Sequence, residues 1–124
     1  MVRVGIVGSR TFRNLEQVKD YVKSLDKDTI IVSGGSNGVD ETVGKTGEAL
    51  GMKVVSFIGD GIKDICEYSD MICAFWDGKS KETKNTIDLA KKMNMIVQVI
   101  TKVKKETYKV GKIDGKSIKE FAWR

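Results

Sequence analysis

Short apolar runs alternate with amphipathic stretches along most of the chain. Residues 2–7 (VRVGIV) read as a first strand, and Leu15, Val18, Val22 and Leu25 then recur at helical spacing. Asn14, with Gln17 three residues on, supplies a helix start of the capping-box kind. Residues 29–32 (TIIV) form a short buried strand, and Val39, Val43, Thr46 and Leu50 mark the inner stripe of a second helix that stops at Gly51. Residues 53–57 give a third strand, 61–68 a turn or two of helix, and 71–76 a fourth strand. Ile87, Ala90 and Met93 mark a later helix, and 95–100 (MIVQVI) a fifth strand.

Strands alternating with helices imply right-handed crossovers and a parallel sheet covered on both faces. The expected fold is α/β and Rossmann-like, with five parallel strands in the order 3-2-1-4-5 and a C-terminal β-hairpin. In that order the connection reverses between strands one and four, and ligands bind such folds at the carboxyl ends of the strands there. Three polar, glycine-bearing loops gather at that edge: GSRTF (8–12), SGGSNGVD (33–40) and FWDGKS (75–80). The tail differs from the rest. Residues 107–113 and 116–122 flank Asp114-Gly115, a strong type I′ hairpin signal that would set Tyr108 opposite Phe121. The division expected is a core at 1–101 and a basic extension at 102–124.

Charge sharpens that division. The chain of 124 residues carries a net charge of +5, all of it in residues 102–124; residues 1–101 hold fourteen basic and fourteen acidic side chains. One core is expected from this length. There is no apolar run long enough for a membrane span and no signal-peptide pattern at the start, so a cytoplasmic protein without membrane contact is expected. The absence of histidine removes His-based catalysis and the commonest metal ligand. Cys66 and Cys73 form no CxxC pair, so neither a disulfide framework nor a zinc knuckle is expected. No metal or cofactor is foreseen.

The loops carry the candidate chemistry. In the first, Gly8 permits a tight turn, the Ser9 hydroxyl and the N–H groups through Thr11 face a phosphate, and Arg10 either grips it bidentately or is simply solvated. Phe12 either supports a base or belongs to the core. In the second, Gly34 and Gly35 allow close backbone approach, while Ser36, Asn37 and Gly38 lead into a helix N-terminus that favours an anion. Asp40 either compensates that helix dipole or accepts a hydrogen bond from a ribose hydroxyl. In the third, Asp77 and Gly78 end the strand, Lys79 adds positive charge, and Ser80 or Thr83 caps the next helix. Trp76 either stacks on a base or is packed.

These three motifs, in this order, resemble the SLOG superfamily, the Rossmann-like group that contains the DprA-type and LOG-type proteins. The nearest pattern is a small family with a GSRxF opening, a GGAxGxD second loop and a third loop ending in FwdG.S.GT. The resemblance covers roughly residues 2–100 and implies a nucleotide or nucleotide-derived phosphorylated ligand at the shared edge; it also implies self-association. Two departures stand out. Glu82 occupies the place of a glycine in the third loop, and the segment between strands three and four is shorter than in the family. The catalytic glutamate of LOG-type phosphoribohydrolases falls at Thr42, and the nucleophilic glutamate of the similar deoxyribosyltransferases falls at Thr86. Binding is therefore expected ahead of catalysis. The alternatives are hydrolysis of an N-glycosidic bond through Asp40 or Glu82, and nucleic-acid binding through the lysine-rich tail with Tyr108, Phe121 and Trp123 interleaved.

Overall fold

The computed structural model describes residues 1–35, 38–58 and 61–101, together with the backbone of three short strands at 105–108, 112–113 and 116–117. Its elements follow in the order β1 (Arg3–Gly8), α1 (Leu15–Ser24), β2 (Ile30–Ser33), α2 (Val39–Ala49), β3 (Lys53–Ser56), α3 (Ile62–Tyr68), β4 (Met71–Phe75), α4 (Lys81–Lys92), β5 (Ile96–Ile100), β6 (Lys105–Tyr108), β7 (Lys112–Ile113) and β8 (Lys116–Ser117). The main sheet runs β3-β2-β1-β4-β5-β6. Its first five strands are parallel, in the order expected from the sequence. The central strand β1 pairs with β2 and β4, with Val4 opposite both Ile31 and Met71.

The alternation of side chains along each strand builds two cores. Val4 and Ile6 of β1, with Met71, Cys73 and Phe75 of β4, pack under α1 and α2. Val7, Ile72, Ala74, Val97 and Val99 pack on the other face, with Ile65 and Cys66 of α3 and Ile87 and Ala90 of α4. Val18 and Val22 of α1 are fully buried, each contributing about 2 kcal/mol of transfer free energy. Phe12 and Tyr21 both meet Phe75 edge to face, at 5.5 and 5.6 Å between ring centroids. Phe12 thus takes the core alternative. Where β1 passes α3, Gly5 has no room for a methyl group: a Cβ there would lie 2.6 Å from Ile72.

Three details depart from the sequence reading. Met93 is exposed at the C-cap of α4, because two steps of three residues turn a helix about 120° away from the Ile87 direction. In α2 the buried position is Gly47, against Ile31 and Val54, while Thr46 is only half-buried. Finally, Lys105–Tyr108 pairs antiparallel with β5, Tyr108 opposite Val97, and joins the main sheet there. The hairpin around Asp114-Gly115 is present in its inner rungs, Lys112 opposite Ser117 and Ile113 opposite Lys116. The expected pairing of Tyr108 with Phe121 reaches a residue outside those described. Both cysteines are buried and neither forms a disulfide, and burial, with Glu67 nearby, pushes the Cys66 thiol up to about 11. Among the described residues, no helix is long and apolar enough to cross a membrane.

Candidate functional site

The loops after β1, β2 and β4 meet at the carboxyl edge of the sheet, and glycines let the first two touch. A Cβ at Gly8 would fall 2.5 Å from Val39, the fully buried first residue of α2. Gly38 has φ +76°, and a Cβ there would meet the Arg10 carbonyl at 3.0 Å. Loop 1 therefore lies directly on the start of α2.

Loop 1 is tied to loop 3 by a polar brace. The Ser9 N–H donates to the Phe75 carbonyl (3.0 Å), and the Phe12 N–H closes a turn onto the Ser9 carbonyl (3.1 Å). The Ser9 hydroxyl, only 1% exposed with its residue, accepts the Asp77 N–H at 3.1 Å and lies 3.4 Å from the Thr83 hydroxyl. It faces the brace, turned to Asp77 and Thr83. The Thr11 hydroxyl donates to Oδ2 of Asp77, whose Oδ1 accepts the N–H groups of Lys79 and Ser80, both at 2.8 Å. These donors, Thr11 foremost, hold the Asp77 carboxyl down at about 2, against a smaller opposing effect of partial burial.

Ser80 caps α4 by accepting the Thr83 N–H (3.4 Å), and its own hydroxyl donates to Oγ1 of Thr83 (3.3 Å). The Trp76 indole N–H donates to the Ser80 carbonyl (3.0 Å), and its ring packs on the α3/α4 core. Trp76 thus takes the packed alternative. Gly78 is exposed at φ +83° and serves the turn.

A cleft of about 980 Å³ opens where the loops converge. Loop 1 lines it with Gly8, Arg10 and Thr11; loop 2 with Gly34, Gly35 and Asp40; loop 3 with Asp77, Lys79 and Ser80. Thr83 joins them from α4, whereas Ser9, Phe12, Gly38, Trp76 and Gly78 do not line it, and Ser36 and Asn37 lie outside the described residues. Asp40 is 7% exposed, its carboxylate seated against Gly34, where a Cβ would lie 2.9 Å from Oδ2. Arg10 and Lys79 are exposed, and neither side chain is ion-paired among the described residues.

The motifs did not disclose the apolar wall. Phe57, Ile58, Ile62 and Ile65 line the cleft from the β3–α3 connection and α3, and Ile58 is 84% exposed. An isoleucine next to a Gly-Asp-Gly sequence was the available signal. Glu82, Asn85 and Thr86 complete the lining from α4; the Thr86 hydroxyl donates to the Glu82 carbonyl at 3.1 Å. Among the described residues no group of three or more Cys, Asp or Glu side chains could hold a metal ion.

A doubly wound parallel sheet with a cleft at its carboxyl edge, beside the β1/β4 reversal, defines a Rossmann-like domain with a candidate ligand site. Residues 1–73 match the family model of DNA recombination-mediator protein A, and the chain belongs to that family. The matched stretch carries loops 1 and 2 and ends within β4. Comparison with curated proteins gives no match, and comparison with solved structures gives none.

Proposed function

We propose that the cleft binds a nucleotide or a nucleotide-derived phosphorylated small molecule. One observation carries this reading. A single cleft joins two cationic side chains that are not ion-paired, Arg10 and Lys79, and the hydroxyls of Thr11 and Ser80, which also bond within the loops, to an apolar wall of Phe57, Ile58 and Ile62. A phosphate needs the first set and a base or similar ring the second.

Mass spectrometry of small molecules released from the purified protein, followed by calorimetry with wild type and Arg10→Ala, tests the reading. Binding that falls about tenfold or more in the variant supports it. No nucleotide released, none bound, and no effect of Arg10→Ala would end it.

Family membership favours a second reading, association with nucleic acid, with the lysines of 102–124 supplying phosphate contacts. Filter binding of the full chain to single-stranded DNA across a salt series, beside a variant carrying Lys109→Ser, Lys112→Ser, Lys116→Ser and Lys119→Ser, separates the two. Salt-sensitive retention that the variant loses favours the tail; equal retention by both counts against it.

A further inference from the structure

The charges around the cleft are not those of a site for a polyphosphate. Its described charged lining comprises two cations, Arg10 and Lys79, and three carboxylates, Asp40, Asp77 and Glu82. Asp77 is occupied by Thr11 and two backbone N–H groups, and Asp40 is buried beside Gly34. Glu82 is different. It sits exposed in the first turn of α4, and its carboxylate has no hydrogen bond or ion pair among the described residues. A carboxylate there interacts favourably with the positive end of the helix dipole, so the chain itself supplies the anion that α4 would otherwise draw from solution. Lys81, one residue earlier, does not line the cleft, and Lys84, two residues on, is paired with Asp88 at 2.8 Å. Neither is placed to cancel Glu82.

We propose that Glu82 is a specificity-determining residue that restricts the cleft to ligands with one phosphate group, a nucleoside monophosphate in preference to a polyphosphate. The inference rests on the reading of the cleft as a nucleotide site and adds to it the number of phosphates. The first phosphate is held by Arg10 and Lys79. Each further phosphate adds negative charge to a cleft whose carboxylates already outnumber its cations, and any that reaches α4 meets Glu82. Because Glu82 is solvent-exposed, the repulsion is screened by salt over a Debye length of about 10 Å at 0.1 M, so discrimination weakens as ionic strength rises.

The test is calorimetry of AMP and ATP, at low ionic strength with EDTA present, against wild type, Glu82→Gln and Glu41→Gln. Glu41 lies in the first turn of α2, pairs with Lys45 at 3.2 Å and does not line the cleft, so its variant controls for a change in overall charge. The expected result is tighter AMP than ATP binding by wild type. In Glu82→Gln that ratio should shrink by at least about fivefold, mainly through improved ATP binding, while Glu41→Gln should leave it within about twofold. A ratio unmoved by Glu82→Gln, moved equally by Glu41→Gln, or favouring ATP in wild type overturns the role of Glu82 while leaving the nucleotide site standing. If wild type binds neither nucleotide, the site itself fails and this inference with it.

Discussion

The starts of α2 and α4 both face the cleft edge, yet they are finished in different ways. At α4, Ser80 accepts the Thr83 N–H, Asp77 accepts two more N–H groups of the loop, and Glu82 stands in the first turn. At α2, the N-cap is Gly38, which gives no side-chain hydrogen bond, Asp40 and Glu41 stand in the first turn, and Arg10, not ion-paired among the described residues, lines the cleft from the loop lying on it. The contrast lies in the polar groups: those of loop 3 bond to one another and to Ser9 and Thr11 of loop 1, whereas the Arg10 side chain bonds to no described residue.

The largest effect should come from the junction that seats loop 1 on α2. Gly8→Ala places a methyl 2.5 Å from the buried Val39, so chemical denaturation should report a loss of about 2–3 kcal/mol. A loss below about 0.5 kcal/mol would mean the two loops are not so closely packed. Next comes Arg10→Ala, expected to weaken AMP binding about tenfold with the melting temperature unchanged. Asp77→Asn should do the reverse. It should cost about 1 kcal/mol of stability, a figure kept low because the group is partly exposed, and change AMP affinity less than about threefold. A large affinity loss without destabilisation would place Asp77 among the ligand contacts and erase the contrast between the loops.

The smallest effect is in pH. Asp77 is held at about 2, below its ordinary 3.8, so its ionised form favours the folded state. That contribution is complete above about pH 4 and is lost as pH falls toward about 2. Stability of wild type should therefore fall more steeply across that window than stability of Asp77→Asn, as read by urea denaturation at successive pH values. Equal slopes would contradict the brace.

Much of this fold could be read in the chain because its signals are periodic. Buried runs such as TIIV and MIVQVI, separated by stripes such as Val39-Val43, leave few arrangements other than a doubly wound sheet. Strand β6 was not legible in the same way. KETY has no apolar alternation, and an edge strand pairing on one side needs none. In the site, the three loops were legible from glycine and polar composition, but the direction of each side chain was not. Ser9 reads as a phosphate contact by its neighbours in sequence and is buried by its neighbours in space. Ile58 reads as an ordinary loop residue and becomes an exposed wall of the cleft only once β3 and α3 are placed. Glu82 was visible as a misplaced carboxylate, and its position on the cleft wall turns that oddity into a statement about ligand charge.

The central claim is that a phosphorylated ligand sits where loops 1 and 2 meet, with Lys79 of loop 3 reaching it and the rest of loop 3 acting as support. Titration of the isotope-labelled full chain with AMP, followed by two-dimensional amide NMR, tests it most directly. The account predicts saturable shifts concentrated at Gly8, Arg10, Thr11, Gly34, Gly35 and Val39, with smaller changes at Gly78 and Lys79. Shifts confined to residues 102–124, or none at millimolar AMP, would contradict it.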